Sequence, residues 1–267
     1  MPLTDRDVAL AAAEAGAAVA RSRFGAPLAR VEKGPGDFAT AADFEAERAI
    51  LDVLRSARPD DAVEGEEFGR SGPAADRTWL VDPLCGTLNY AARTQLVAVN
   101  VALRSGAGVV VAVSADPFTG ELFWTEGANA YVRRHGVDER LTRSADSQLV
   151  EVNLDPPFPN SRAFRAVELL ADEEFAASFR PRVVSTSLAV AWVAAGRRAA
   201  YLTDGDLAGS VHFTSGIALC QAAGCVVTGL QGQPLHTGVG GLLAAADQET
   251  HATLLELVGR QFAGAGG

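Results

Sequence analysis

The chain has 267 residues, of which 48% are hydrophobic and 21% charged. At roughly 150 residues per domain this is one large domain or two tightly joined ones, with apolar mass enough for a sizeable core, and it excludes a mainly disordered chain. The formal net charge of -10 argues against a nucleic-acid binder or a partner of acidic membranes, both of which favour a basic face. No apolar run reaches the roughly 18 residues of a membrane span. Lys33 is the single lysine among 23 basic residues, a bias that with the many alanines points to a GC-rich bacterial genome.

Thr4 with Asp7 reads as a cap before an alanine-rich helix over Asp5 to Phe24. Ala9 to Ala20 has the small residues of a leader, but Asp5 and Asp7 precede it, Glu14 interrupts it and no basic n-region exists. A Gly/Pro connection follows at Lys33-Gly34-Pro35-Gly36-Asp37. A second amphipathic helix runs from Ala42 to Ala57, with Phe44, Leu51 and Leu54 on one face, and Pro59 ends it. Ala62-Val63 is a short strand running into Gly65-Glu66-Glu67. Trp79-Leu80-Val81 is a buried strand meeting a turn at Asp82-Pro83. Strands over Leu96 to Leu103, Val109 to Ala115, Glu121 to Thr125 and Tyr131 to Arg134 form a meander, with turns at Ser105-Gly106, Asp116-Pro117 and Gly127.

Beyond Ser144 helices and strands alternate. Helices are expected at Asn160 to Leu170, Leu188 to Ala195, Ser215 to Ala223 and His251 to Gln261. Strands are expected at Val183-Val184, Ala199 to Leu202 and Val226-Val227. The fold class is therefore α/β, with an α+β N-terminal half over residues 1–144 and an α/β C-terminal half over 145–267 that carries His212, joined as one compact unit. Three cysteines, Cys85, Cys220 and Cys225, are an odd count that fits a reducing compartment, and the expected location is the cytoplasm.

Glu66, Glu67 and Asp82 are carboxylates at strand ends, where α/β folds gather ligands for hard cations such as Mg²⁺; singly, Glu66 and Glu67 read better as a solvated loop and Asp82 as the start of a turn. Cys85 follows Asp82-Pro83-Leu84 at the start of a possible helix near Thr87, whose amides would favour an anion; alone, it reads as a small buried hydrophobe. His212, just before a helix, is a base, a ligand or a satisfied core histidine.

Trp79-Leu80-Val81-Asp82-Pro83-Leu84-Cys85-Gly86-Thr87-Leu88-Asn89-Tyr90 resembles the inositol monophosphatase signature W-[IV]-[IV]-D-P-[IL]-D-G-T-x-N-[FY]. The resemblance continues in order along the chain. Asp37 to Asp43 is similar to D-x-V-T-x-x-D, with Lys33 at a lysine position. Gly65-Glu66-Glu67, Asp116-Pro117 with Gly120-Glu121-Leu122, Val193 to Arg197 and Gly216 to Thr228 follow. The resemblance implies alternating helix and sheet layers, an αβαβα sandwich that is usually a homodimer, and Mg²⁺-dependent hydrolysis of small phosphate monoesters. It further implies Glu66, Asp82 and the Leu84 carbonyl as first-site metal ligands. Asp43 and Thr87 would orient a water or a further metal, and the Gly86-Thr87 backbone would meet phosphate. Lys33, Ser185 and Thr186 would be polar substrate contacts.

Two departures stand at the second metal site. The family's second signature aspartate is Cys85, and the aspartate of its later W-D-x-x-[AG]-G motif is His212. Sulfur and nitrogen in place of two hard oxygens weaken a magnesium site. The resemblance also implies that Cys85 and His212 lie within a few ångströms of each other, as a thiol beside a base.

The preferred reading is an enzyme on a small polar metabolite in which a Cys85–His212 pair has replaced two-metal chemistry and no cofactor is required. Acyl transfer, cyclisation and addition–elimination all fit such a pair. A residual Mg²⁺ phosphatase using Glu66 and Asp82, a zinc site at Asp82, Cys85 and His212 (ranked below magnesium), and a non-catalytic ligand-binding protein are the alternatives. The expected partner is a small molecule, with no nucleic acid and no membrane.

Overall fold

The computed structural model describes residues 3–27, 29–34, 37–73, 76–106, 108–154 and 164–264. In chain order the elements are α1 (Asp5–Arg23), β1 (Arg30–Gly34), β2 (Asp37–Thr40), α2 (Ala41–Ala57), β3 (Ala62–Gly65), β4 (Gly69–Ser71), β5 (Arg77–Cys85) and α3 (Thr87–Ala91). Then come β6 (Ala98–Ser105), β7 (Gly108–Ala115), β8 (Leu122–Glu126), β9 (Asn129–Arg134), β10 (Val137–Arg140) and β11 (Leu149–Val152). The rest are α4 (Ala166–Leu170), α5 (Glu173–Ser178), β12 (Arg180–Arg182), α6 (Leu188–Ala194), β13 (Ala200–Thr203), α7 (Thr214–Ala222), β14 (Val226–Thr228), β15 (Leu242–Ala245) and α8 (Gln248–Gly264).

The chain divides into two compact units, and the boundary differs from the expected one. The first holds Met1–Arg140 together with Thr186–Leu188 and Gly209–Leu219, so His212 belongs with the N-terminal sheet and not with the C-terminal half. The second holds Leu141–Ser185, Ala189–Ala208 and Cys220–Gly267. Sequence reading assigned His212 by chain position, whereas its segment packs with a sheet far from it in sequence.

In the first unit one sheet runs in the order β10-β9-β8-β7-β6-β5-β3-β4, antiparallel except for the β3–β5 pair, while β1 and β2 make a separate hairpin. On one face lie α1 and α2. Val8, Ala12, Ile50 and Leu54 pack there against Trp79, Val99, Val101 and Val113. A side chain at Gly16 would collide with Ile50, so glycine permits the close approach of α1 to α2. Thr4 with Asp7 and Thr40 with Asp43 form capping boxes at the two helix starts. Leu80, Ala102 and Ala112 cluster with Ala218 of α7, and Val211 packs against them. Small side chains in this cluster let the start of α7 approach closely, and that approach delivers His212.

The second unit has a five-stranded mixed sheet in the order β12-β11-β13-β15-β14, with β11 parallel to both β12 and β13. Leu254, Leu257 and Val258 of α8 pack with Val150, Val152, Leu202 and Leu243 of the sheet. Buried Glu151 accepts from the Val184 N–H at 2.6 Å and pairs with Arg198, whose guanidinium lies over Trp192. Mixed sheets with helices match the expected α/β class.

Both long N-terminal helices lie within a residue or two of their expected ends. The Gly/Pro connection is largely the β1–β2 hairpin, with Pro35 and Gly36 outside the described residues. The strand expected at Val183-Val184 lies earlier, at Arg180–Arg182. The helix expected from Asn160 is described only from Ala166, with 160–163 outside the described residues. β4, β10, β11, β15 and α5 escaped sequence reading because short elements carry too few residues for a period to show.

Candidate active site

Asp82, Cys85 and His212 each direct one ligand-type atom to a common point, these atoms all lying within 4.8 Å of one another. Asp82 and Cys85 belong to β5, whose residues from Thr78 to Leu84 are all buried. In a regular strand they would point to opposite faces, being an odd number of residues apart. The β5–β6 register shifts between them, Asp82 opposing Asn100 and Cys85 opposing Ala98. That extra residue is a bulge, and it turns both side chains to one side. Pro83 sits within it, where a missing N–H costs no ladder bond. Gly86 follows with φ 107°, a left-handed conformation that turns the chain into α3.

His212 Nδ1 lies 2.8 Å from Asp82 Oδ2. With Asp82 ionised, Nδ1 carries the proton and donates. Asp82 is fully buried, its Oδ1 accepting the Leu84 N–H at 3.1 Å and its Oδ2 lying 3.5 Å from Asn100 Nδ2. Asn100 also donates to Ser187 Oγ at 2.8 Å and accepts from Ser114 at 2.7 Å. The Ser187 N–H points at Cys85 Sγ at 3.3 Å, and the Thr186 hydroxyl at the Cys85 carbonyl, also at 3.3 Å.

Charge is distributed unevenly over these groups. Burial would raise the Asp82 pKa, but the His212 charge and hydrogen bond outweigh it and hold the carboxyl below its usual range. Burial would lower His212, but Asp82 and then Cys85 hold it well above the usual imidazole value. Burial, and secondarily Asp82, push the Cys85 thiol up to about 11. The same two causes push Glu66 up to about 8. The resting cluster is thus a carboxylate, an imidazolium and a neutral thiol, not a standing thiolate.

Lys33 explains itself here. Its ammonium bridges Glu66 Oε1 at 2.9 Å and Glu67 Oε1 at 2.7 Å, and these carboxylates keep it charged despite partial desolvation. Glu66 Oε2 stands 3.9 Å from His212 Nδ1. The Glu66-Glu67 turn is itself anchored by buried Glu47, which accepts the Glu67 and Phe68 N–H groups at 2.8 and 3.1 Å. A Cβ at Gly65 would strike the Glu47 carboxylate. Thr87 donates to Asp43 at 3.0 Å, within reach also of the Leu84 carbonyl at 3.2 Å. Asp43 in turn caps α2 through the Thr40 N–H at 2.8 Å.

The structure therefore brings together Lys33, Glu66, Asp82, Cys85, Thr186 and His212, with Asp43, Thr87 and the Leu84 carbonyl linked beside them through Thr87. Ser185 belongs to the second unit, with φ 55°. Sequence reading missed Asn100, Ser114, Ser187 and Glu47. The signal for Asn100 was present, a single amide inside the apolar run 98–103, since buried amides demand partners.

The donor set bears on metals unequally. Glu66, Asp82 and the Leu84 carbonyl are all oxygens, and a hard cation fits them. The second set, Asp82, Cys85 and His212, offers one oxygen, one sulfur and one nitrogen, and does not fit magnesium.

The mixed sheets, the turn after β5 and the acidic cluster define an α/β fold with a carboxylate-rich site at a strand end, and comparison with known proteins says which family this is. The inositol monophosphatase family model matches residues 2–261. An inositol-1-monophosphatase of Caulobacter vibrioides is 35% identical over 237 residues, 84% of this chain and 88% of that protein. The Escherichia coli Nus factor SuhB is 30% identical over 230 residues, 85% of this chain and 84% of that one. Among solved structures, an extragenic suppressor protein SuhB from Bartonella henselae superposes with a TM-score of 0.82 at 26% identity, covering 94% of this chain and 96% of that one. A Thermotoga maritima IMPase shares the fold, with a TM-score of 0.82 at 21% identity over 98% of this chain and 100% of that one. The chain belongs to the inositol monophosphatase family.

Among the described residues no helix is long and apolar enough to cross a membrane. Cys85, Cys220 and Cys225 are all free thiols.

Proposed function

We propose that this chain is an enzyme for a small polar metabolite in which Cys85 and His212, working beside Asp82, have taken over from the second magnesium site. The observation that carries this reading is the 2.8 Å contact between His212 Nδ1 and Asp82 Oδ2, which engages one of the two carboxylate oxygens Asp82 could offer a cation. Asp82 orients the imidazole and stabilises its cation, the part a carboxylate plays beside a catalytic histidine. Cys85 Sγ lies within 4.8 Å of a ring nitrogen of that imidazole. With imidazolium and thiol both protonated at rest, the pair is suited to give a proton to a developing oxyanion. Sulfur becomes a nucleophile once the pair has lost one proton: the imidazolium gives its extra proton to solvent and the neutral ring then takes the thiol proton.

Lys33, Gly86, Thr87 and Thr186 are the proposed substrate contacts. The Lys33 ammonium is already shared between Glu66 and Glu67, so its part is to hold the acidic turn while lending positive charge to an anionic substrate. Free cysteines support a reducing, cytoplasmic setting, and a homodimer is carried over from the resemblance.

The all-oxygen set of Glu66, Asp82 and the Leu84 carbonyl favours a second reading, a residual Mg²⁺-dependent phosphate monoesterase. One assay separates the two: phosphate release from inositol monophosphate with and without Mg²⁺, in wild type and in the Cys85→Asp/His212→Asp double variant. Wild type at background with a gain in the double variant supports the preferred reading. Mg²⁺-dependent release by wild type, undiminished in Cys85→Ala and His212→Ala, overturns it.

A further inference from the structure

We infer that Asp82, Cys85 and His212 form a three-donor site for a thiophilic divalent cation of the zinc type, with a fourth position left for water or a substrate oxygen. This rests on the reading above in one respect, that these three side chains are the chemical centre; the thiol–imidazolium pair described there is the metal-free form, which a bound cation would replace.

Convergence is the first ground. One oxygen, one sulfur and one imidazole nitrogen lie within 4.8 Å of one another. Donors on a tetrahedral zinc, with bonds of about 2.0–2.3 Å, stand roughly 3.3–3.8 Å apart. The His212–Asp82 contact at 2.8 Å would have to open by about half an ångström, and a pair standing as far apart as 4.8 Å would have to close by about one ångström.

The donor types are the second ground. A thiolate, a carboxylate and a neutral imidazole carry two negative charges, matching a divalent cation. Sulfur and nitrogen select zinc over magnesium and calcium. Binding displaces the thiol proton, and the extra proton of the imidazolium, to solvent.

The supporting hydrogen bonds are independent of both. Asp82 is braced by the Leu84 N–H and by Asn100, which is itself tied to Ser114 and Ser187. Cys85 Sγ receives the Ser187 N–H at 3.3 Å, a donor aimed at the sulfur. Outer partners of this kind orient metal ligands and tune their basicity. The bulge in β5 is what makes Asp82 and Cys85 available on one side, so the arrangement does not have to be assembled by the ion.

The test uses the full chain, stripped with a chelator and titrated with Co²⁺ and Zn²⁺ against a chromophoric competitor. One equivalent of Co²⁺ is expected, with tetrahedral ligand-field bands and a thiolate-to-cobalt charge-transfer band. Cys85→Ser should abolish the charge-transfer band, and Cys85→Asp, which keeps a donor, should retain cobalt without it. His212→Ala should weaken binding more than about 100-fold. Cys220→Ser and Cys225→Ser should each leave the band in place, which removes the other two thiols from consideration. A charge-transfer band that survives Cys85→Ser, or no stoichiometric binding by wild type, overturns the inference. If wild type binds no metal yet has metal-independent activity lost in His212→Ala, the site proposal fails and the enzymatic reading stands. If wild type shows undiminished Mg²⁺-dependent phosphate release, it is the enzymatic reading that fails, whatever cobalt shows.

Discussion

His212 Nδ1 donates to Asp82 Oδ2 across 2.8 Å, joining a turn residue to a fully buried carboxylate 130 positions earlier in the chain. Breaking such a pair from one side leaves the other charge buried without compensation. His212→Ala should therefore destabilise the protein by about 3–5 kcal/mol in denaturant unfolding. Asp82→Asn combined with His212→Ala should recover part of the loss, because no buried charge then remains. A His212→Ala variant as stable as wild type would mean that water reaches Asp82.

The pH dependence of the metal-free protein follows from the same groups. Asp82 is held below its unfolded value of about 3.9, so its contribution is present above that pH and lost as pH falls through the folded value. His212 is held above its unfolded value of about 6.5, so its contribution is full below that pH and lost as pH rises through the folded value. Glu66, raised from about 4.3 in the unfolded chain to about 8, also loses its contribution as pH rises. Thermal melts should fall steadily on going from about pH 6 to pH 9. Glu66→Gln should flatten the part of that slope below its folded pKa. A melting temperature that climbs over this range contradicts the assignment.

Thiol reactivity offers a separate reading of the cluster. Burial and Asp82 push Cys85 up to about 11, whereas the Cys220 hydrogen bond lowers Cys225. Alkylation by iodoacetamide at neutral pH, followed by peptide mass spectrometry, should label Cys225 before Cys85. Faster labelling of Cys85 would reveal a standing thiolate and return the pair to a nucleophilic role.

Asn100 is buried and joins Asp82, Ser187 and Ser114. Asn100→Ala should cost about 2–4 kcal/mol, since it strands at least two buried polar partners. Asn100→Asp should be worse near neutral pH than in acid, because it sets a second carboxylate beside Asp82. Chemical unfolding at two pH values measures both effects.

Gly65→Ala probes the acidic turn. The added methyl meets the carboxylate of Glu47, which is buried and already holds the Glu67 and Phe68 amides. A loss of about 1–3 kcal/mol is expected, the usual cost of overpacking a filled site. Glu47→Ala in the same background should not add its full single-variant cost, because both changes act on one contact.

Local order in the chain determined a good deal by itself. Capping boxes at Thr4 and Thr40 mark the two long helices, and the apolar run from Trp79 to Val81 marks the central strand. Motifs from Asp37 to Thr228, in order, identify the family and single out Glu66, Asp82, Cys85 and His212. These features are legible because caps, periods and motifs are written over a few neighbouring residues.

Only the tertiary structure decided that His212 packs with the N-terminal sheet, that a bulge turns Asp82 and Cys85 to the same side, and that Lys33 is spent on Glu66 and Glu67. It alone supplied Asn100, Ser187 and Glu47, whose work is to satisfy partners far away in sequence. The physical reason is common to all of these. Register, burial and the pairing of buried polar groups depend on which segments meet, and that is settled by packing small residues such as Ala102, Ala112 and Ala218 against one another, not by any pattern local to the chain.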